Sequence, residues 1–206
     1  MLVELPKSEY DRFDIYKGNG QSRLLQVVKS AIQTSYPRTD VRADGQVVEI
    51  SFTDGIKFEV LPAFVSSDWY ENVTYQYPDT NMGGNWRSTN PKAEQEAMRS
   101  KNNSDYGLLF DTCKHMRYIR DSFFSSYHLS GIVIDSFVYA AIGGWSWSQP
   151  SSTSSAPAGD YEKHLYNTYI NTYRYASTIT APGSNQTVDL RNSRDCLEKV
   201  LYKMTQ

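Results

Sequence analysis

One carboxylate, Glu59, lies in a stretch whose alternating pattern would hold its side chain in a fixed direction. Residues 47–64 place apolar side chains at every second position on either side of a Thr53-Asp54-Gly55 turn, which predicts a β-hairpin with one face in the protein core. Glu59 falls on the other face, so the strand would present its carboxylate away from the core. A strand acid of this kind is either a solvated surface residue or a functional one, and the hairpin alone leaves both interpretations open.

Three cations recur at intervals of three residues further along the chain. Lys114, Arg117 and Arg120 lie in a segment with helical apolar periodicity, and at about 100° per residue they would follow one flank of that helix. Their charges suit the binding of phosphate or another anion. They suit an ordinary solvated helix face as well, which is the usual role of a short basic strip.

The elements that must hold the strand carboxylate form an α/β module at the start of the chain. Residues 2–5 have the pattern of a strand end, and a helix is expected to begin near Ser22 and to stop at Pro37. The hairpin follows, and Pro62 is expected to end its pairing. The predicted order is therefore strand, helix, strand, strand.

The rest of the chain is predicted to be a long loop followed by helices. Residues 65–91 lose the alternation and are rich in aromatic residues and turn formers, so we expect one long ordered loop there. Helices are then expected over residues 91–98, 104–125, 131–142, 161–173 and 197–201. Asp135 falls inside the most apolar of them. Because an unpaired buried carboxylate is costly, we expect an arginine from the preceding helix to pair with it.

This pattern predicts two domains. Residues 1–90 would form the sheet domain with its aromatic loop, and residues 91–206 the helical domain. Residues 149–159 are rich in serine, alanine and proline. We expect them to form a mobile loop, because this composition cannot bury enough apolar surface to fold alone.

The composition excludes several classes of protein. The chain has 206 residues, 39% of them hydrophobic and 21% charged, with a net charge of -2, which is typical of a soluble globular protein and argues against bulk nucleic-acid binding. It contains no apolar run of transmembrane length and no nucleophile-elbow or Walker motif. Two distant cysteines argue against a disulfide framework and favour the reduced cytoplasm.

Several short motifs follow one another in the order found in a known family. The chain resembles the SMODS-type nucleotidyltransferases, or CD-NTases, which are bacterial relatives of cyclic GMP-AMP synthase and oligoadenylate synthase. No single motif is diagnostic, but their order is specific and they extend over nearly the whole chain. The matching stretches are residues 17–26, 44–48, 58–64, 77–81, 83–86, 89–91, 113–120, 130–135 and 181–186.

The resemblance implies an α+β fold, with a polymerase-β-like palm packed on a helical C-terminal domain and nucleotides in the cleft between them. The implied activity is nucleotidyl transfer from nucleoside triphosphates, with ATP expected, to give cyclic oligonucleotides that switch on an effector in anti-phage defence. Neither a membrane nor a stable nucleic-acid partner is expected.

The resemblance also assigns residues. Two Mg²⁺ ions would be held by three carboxylates, of which Glu59 is the third, and would activate the attacking hydroxyl and neutralise charge on the phosphates. The three cations of the basic strip would reach the triphosphate from the helical domain. Gln21 and Ser22 are assigned to nucleotide binding by the same resemblance.

The sequence departs from the family pattern at its start. The family's Asp-x-Asp pair would stand at the beginning of the strand that residues 2–5 complete, with a Gly-Ser pair before it, and neither is present. Asp11 and Asp14 follow that strand with a different spacing, so they are not substitutes. We therefore expect an N-terminally truncated palm or a misassigned start codon, weak or absent Mg²⁺ binding, and no catalysis by this chain.

Three hypotheses remain open at this point. The chain is a fragment of an active cyclic-oligonucleotide synthase, a non-catalytic nucleotide-binding relative, or a helical protein-interaction module whose cleft is vestigial. The first is favoured, and the coding sequence upstream of Met1 would test it.

Overall fold

The computed structural model describes residues 1–16, 18–67, 73–149 and 156–206. Within them the chain divides into two compact units, Met1–Asn90 and Pro91–Gln206. The N-terminal unit combines a sheet with helices, and the C-terminal unit is a helical bundle that also contains a short hairpin. Across the described ranges, no helix is long and apolar enough to cross a membrane.

Six strands form one sheet among the described residues of the N-terminal unit. Strands β2 to β6 pair with their neighbours in sequence order, and β1 pairs in parallel with β4. The elements are β1 (Leu2–Glu4), α1 (Lys7–Asp14), α2 (Gly20–Ser35), β2 (Asp40–Asp44), β3 (Val47–Ser51), β4 (Lys57–Ser67), β5 (Val73–Asp79), a 3₁₀ turn (Asn81–Gly83) and β6 (Asn85–Thr89).

The predicted hairpin is confirmed, and it orients Glu59 as the sequence indicates. Strands β3 and β4 are antiparallel, with Glu49 directly opposite Glu59. Val48 and Val60 are buried on the other face of these strands, in one apolar cluster with α2. The carboxylate of Glu59 therefore points away from that core, and the residue is exposed. The apolar stripe is shorter than predicted, because Phe58 is 48% exposed.

The prediction that Pro62 ends the strand pairing is wrong. β4 continues past it, and Pro62 stands opposite Val3 of β1. The hydrogen bonds to β1 use alternate residues of β4, since Leu61 donates its N–H to the Met1 carbonyl and the Ala63 carbonyl accepts an N–H from the end of β1. The N–H that proline lacks would point away from β1, so this pairing loses no hydrogen bond.

The described part of residues 65–91 forms strands, and the prediction of one long loop there is wrong. The end of β4 and the whole of β5 and β6 pair antiparallel, with Val65 opposite Tyr75 and Pro78 opposite Trp86. The alternation in this stretch consists of tyrosine, threonine and glutamine and not of aliphatic residues. Aromatic residues favour strands as much as aliphatic ones do. Helix α1 and strand β2 were also missed, since each is short and buries one residue.

The C-terminal unit packs its helices around α5, the most apolar helix of the sequence. Ile134, Phe137 and Val138 of α5 are fully buried in one cluster with residues of α4, α6 and α7. The elements are α3 (Pro91–Ser104), α4 (Leu108–Phe123), α5 (Gly131–Ala141), α6 (Asp160–Thr168), a π-helical turn (Tyr169–Tyr173), β7 (Thr178–Thr180), β8 (Thr187–Asp189) and α7 (Arg194–Met204).

Two details of this unit differ from the sequence prediction. Helix α3 is longer than expected and α4 starts later, because Tyr106 and Gly107 take φ of +57° and +97° between them, a conformation that a right-handed helix does not contain. The β7–β8 hairpin was not predicted. Of the predicted mobile loop at residues 149–159, residues 150–155 lie outside the described part of the chain.

Candidate functional site

Glu59 lies on the open face of the sheet beside a second carboxylate. Glu49, its partner across the β3–β4 pair, accepts hydrogen bonds from Lys57 Nζ at 3.2 Å and from Ser51 Oγ at 3.0 Å. These bonds hold the pKa of the Glu49 carboxyl below its usual value. Within the described residues, no hydrogen bond occupies the Glu59 carboxylate. Its oxygens are therefore open to a ligand, and those of Glu49 are already engaged.

The C-terminal unit contains a cavity of about 460 Å³ bordered by α3, α4 and α5. Lys114 and Arg117 both line it from α4. Apolar side chains make up much of its wall, namely Met98, Phe110, Ile132 and Pro182. We call this space the helical cavity. Its volume and its mixture of apolar wall and convergent charges are typical of a site for a small molecule.

Among the described residues, Lys114 has one weak partner. Its ammonium nitrogen lies 3.7 Å from an Asp111 carboxylate oxygen, and its side chain is 77% exposed. An exposed ion pair of this kind is screened by water and contributes little. The charge of Lys114 is therefore available to an anion that enters the helical cavity.

Arg117 is the arginine that pairs with Asp135, which confirms the partner expected from the sequence. Its Nη2 donates to both carboxylate oxygens, at 2.7 and 2.8 Å. The thiol of Cys113 lies in the same wall, and its burial, together with the charge of Asp135, raises the pKa of that thiol. Cys113 therefore remains a neutral thiol near pH 7 and is not a nucleophile.

Arg120 does not reach the helical cavity. It donates from Nη1 to the Leu129 carbonyl at 2.9 Å and from Nε to Asp121 at 2.7 Å, and it borders a separate depression. The reason is geometric, since six residues at about 100° each leave Arg120 rotated by about 120° from Lys114 around the helix. The structure thus brings together two of the three predicted cations.

Gln21 and Ser22 lie in the first turn of α2, in the N-terminal unit. Gln21 is 7% exposed, and its Oε1 is so close to Gly84 that a Cβ there would come within 2.7 Å of it. Ser22 is exposed and borders a shallow depression that Arg23 also lines. Gln21 thus packs inside the unit, whereas Ser22 faces solvent.

Sequence reasoning missed the walls of the helical cavity. Phe110 precedes Lys114 by four residues, so a search of the helix face around that cation would have found it. The other wall depends on tertiary structure. Ser184 Oγ donates to Glu94 at 2.8 Å, and Gly183 approaches α3 so closely that a Cβ there would lie 2.3 Å from the Ala93 carbonyl oxygen. These contacts attach the β7–β8 turn to α3, and no sequence spacing reveals them.

Residues 1–102 match the family described as the Second Messenger Oligonucleotide or Dinucleotide Synthetase domain, abbreviated SMODS. This part of the chain is therefore identified as similar to the SMODS domain. The resemblance inferred from the motifs is therefore confirmed.

Known proteins that are similar to this chain support the same resemblance. The chain is 28% identical over 123 residues to a probable cyclic nucleotide synthase of Bacillus cereus strain VD146, a match that covers 56% of this chain and 36% of that protein. Its fold is similar to the CdnE cyclic dinucleotide synthase of Elizabethkingia meningoseptica, solved with GTP and Apcpp (TM-score 0.61, 15% identity, 98% of this chain and 74% of that one). It is also similar to the STING-associated CdnE c-di-GMP synthase of Capnocytophaga granulosa (TM-score 0.64, 11% identity, 98% and 64%). The α+β CD-NTase fold is thus confirmed.

The SMODS resemblance implied two Mg²⁺ ions, and the described residues do not fit such a pair. Glu59 offers one free carboxylate, and Glu49 beside it is engaged by Lys57. Nowhere in the described ranges do three or more histidine, cysteine, aspartate or glutamate side chains lie together as a metal would require. Two Mg²⁺ ions need more carboxylate oxygens than Glu59 supplies.

Proposed function

We propose that this chain is related in function to the nucleotidyltransferases that make cyclic oligonucleotides from nucleoside triphosphates, that its helical cavity binds the triphosphate, and that it does so without converting it. The observation that carries the proposal is the meeting of Lys114 and Arg117 in one cavity beside the aromatic wall of Phe110. The chain covers 36% of its curated relative, so the activity of a whole synthase is part of the proposal.

The charges around the helical cavity favour an anion. The described residues that line it include three cations, Arg99, Lys114 and Arg117, and two carboxylates, Glu94 and Asp135. Both carboxylates accept hydrogen bonds from neighbouring side chains. Arg117 is the partner of Asp135, whereas among the described residues Lys114 and Arg99 form only long ion pairs, at 3.7 Å from Asp111 and 3.6 Å from an exposed Glu96. Cations stabilise phosphates whatever base is attached, so they would supply affinity more than base choice.

The proposed substrates are ATP, as the resemblance implies, or GTP. The CdnE of Elizabethkingia meningoseptica was solved with GTP and Apcpp, which supports a purine nucleoside triphosphate. Phe110 is 37% exposed in the wall of the helical cavity. A partly exposed ring of this kind can pack against a base.

The N-terminal unit is proposed to contribute Glu59 as one oxygen ligand of a divalent cation. When bound, that cation would lower the pKa of an attacking hydroxyl and offset phosphate charge. The strand holds the Glu59 carboxylate on the open face of the sheet, and the hydrogen bonds of Glu49 leave it little capacity to assist. The described residues do not form a two-metal site. Glu59 is therefore proposed as a ligand and not as a complete catalytic centre.

A nucleotide-binding relative whose whole protein is non-catalytic is the second candidate function. It is favoured by the same observation, namely a cavity suited to phosphate without a three-carboxylate site among the described residues. A protein-interaction role for the helices is a weaker alternative, because it does not explain why Lys114 and Arg99, which form only long ion pairs in the described ranges, line the cavity. Action in the cytoplasm and in anti-phage defence, through an effector that senses the product, belongs to the same proposal.

Calorimetric titration with ATP and with GTP, each with Mg²⁺, tests the proposed cavity. Lys114→Ala should weaken binding about five- to tenfold, in line with the loss of one charge-assisted contact. Lys163→Ala is the matched control, because Lys163 also forms an exposed i,i+3 pair, at 3.8 Å from Asp160, and does not line the cavity. Equal affinities for the two variants would refute the proposed site.

A further inference from the structure

Arg117 lines the helical cavity and holds Asp135 through one of its nitrogens, Nη2. Nη2 donates to both oxygens of Asp135 and lies 3.4 Å from the Gly131 carbonyl oxygen. A guanidinium carries five N–H donors, two of them on Nη2. Among the described residues, the three donors on Nε and Nη1 reach no oxygen acceptor, although the Cys113 thiol also interacts with the guanidinium. The group is therefore anchored on one side and lacks an oxygen acceptor on the other.

The anchor is rigid because of where Asp135 lies. It belongs to α5, whose neighbouring residues Ile134 and Ser136 are completely buried. The side chains of Arg117 and Asp135 are 34% and 27% exposed, so the pair lies at the boundary between core and cavity. A long arginine side chain loses conformational freedom when it binds a ligand, and a carboxylate that already fixes it removes much of that cost.

Asp135 has two opposite influences on an anion in the helical cavity. Its negative charge repels the anion directly. Its hydrogen bonds orient the guanidinium, and the N–H groups on Nε and Nη1, which point along different edges of the plane, can each donate singly to a phosphate oxygen. The two influences have opposite signs, so a substitution of Asp135 can distinguish them.

We propose that Asp135 is a positioning residue that orients Arg117 for a phosphate group in the helical cavity. This inference rests on the proposed function, because it assumes that the cavity takes a phosphate-bearing ligand. Positioning outweighs repulsion because the contact is direct and shared between both carboxylate oxygens, whereas an anion in the cavity is farther away and is screened by water. Asp135 itself does not touch the ligand.

Binding of GTP and of inorganic tripolyphosphate to the wild-type chain and its variants tests this role. Asp135→Asn is expected to lower the affinity for both ligands about fivefold, since only the oxygen of the amide group can accept a hydrogen bond from Arg117. Arg117→Gln should lower it about tenfold, and Asp135→Asn added to Arg117→Gln should cause no further loss, because a positioning residue acts only through its partner. Asp189→Asn, which removes the same charge from an Asp–Arg pair outside the cavity, should have no effect.

Spectroscopy provides a test that does not depend on the ligand. In the wild-type chain the Nε resonance of Arg117 should show a restrained guanidinium, and Asp135→Asn should make it average like that of a free arginine. Thermal unfolding of each variant shows whether the fold is retained. Tighter binding by Asp135→Asn, or additive losses in the double variant, would overturn the positioning role alone. Failure of the wild-type chain to bind either ligand would overturn the proposed function together with it.

Discussion

Glu49 and Glu59 face each other across antiparallel strands, and within the described part of the chain Glu49 pairs with Lys57 Nζ at 3.2 Å while the Glu59 carboxylate has no such partner. Like charges directly opposite in a sheet are destabilising. The chain thus retains an unpaired strand carboxylate at some cost to its stability.

Glu59→Gln should therefore stabilise the chain slightly. Removal of the repulsion predicts a rise of roughly 1–2 °C in Tm at low ionic strength, and the rise should shrink in high salt. Differential scanning calorimetry measures it. Glu49→Gln is the control, because it removes the same repulsion but also the charge that pairs with Lys57, so it should give no such gain. A fall in Tm for Glu59→Gln would show that the carboxylate has a stabilising partner.

The acid sensitivity of the N-terminal unit should depend on Asp79. Burial disfavours its charged form, but hydrogen bonds from Asn81 and the ion pair with Arg87 outweigh burial and lower the pKa of Asp79 below its usual value. A lowered folded-state pKa stabilises the fold above the unfolded pKa of about 3.9. This stabilisation is lost as the pH falls further.

Asp79→Asn should accordingly lose less stability than the wild-type chain between about pH 4 and pH 2. Urea denaturation at several pH values measures this slope. Parallel slopes for the two proteins would contradict the assignment.

Gly183→Ala should damage both stability and ligand binding. The glycine has φ of +66°, and a Cβ there would lie 2.3 Å from the Ala93 carbonyl oxygen, so the variant should lose about 2 kcal/mol or more. Displacement of the β7–β8 turn should also move Pro182 in the cavity wall. Gly144→Ala is the control, because a Cβ added there would meet no atom within 4 Å. Equal stabilities in chemical denaturation would contradict this account.

The 206-residue polypeptide should bind nucleoside triphosphate without converting it. Among the described residues, no second free carboxylate joins Glu59 to organise two Mg²⁺ ions, so incubation with ATP, GTP and Mg²⁺ should yield neither cyclic product nor pyrophosphate above a blank. Chromatography of the nucleotides, together with a pyrophosphate assay, measures this. Product formation that is abolished by Glu59→Gln would show that the chain assembles a complete metal site.

The sequence predicted the features that rest on local periodicity. The alternation around Val48 and Val60 correctly assigned the faces of the hairpin and the direction of Glu59. The apolar character of α5 required a partner for Asp135, and Arg117 is that partner. Both inferences needed only the geometry of a single strand or helix and the cost of burying a charge.

Features that depend on tertiary register were not predictable in this way. Pro62 fits inside a strand because only the alternate residues of β4 bond β1, and this register is not visible in the sequence. The rotation of Arg120 away from Lys114 follows from the helical period, but its contact with the Leu129 carbonyl depends on tertiary structure. The wall at Pro182 depends on Gly183 lying against α3, which brings together residues that are far apart in the chain.

The most direct test of the central claim is a crystal structure of the chain soaked or co-crystallised with a non-hydrolysable GTP analogue. The account predicts electron density for the phosphates in the helical cavity, within ion-pair distance of Lys114 and hydrogen-bonded to Nε or Nη1 of Arg117, with the Asp135 contact intact. An empty helical cavity at millimolar analogue, or a nucleotide bound without contact to either cation, would contradict it.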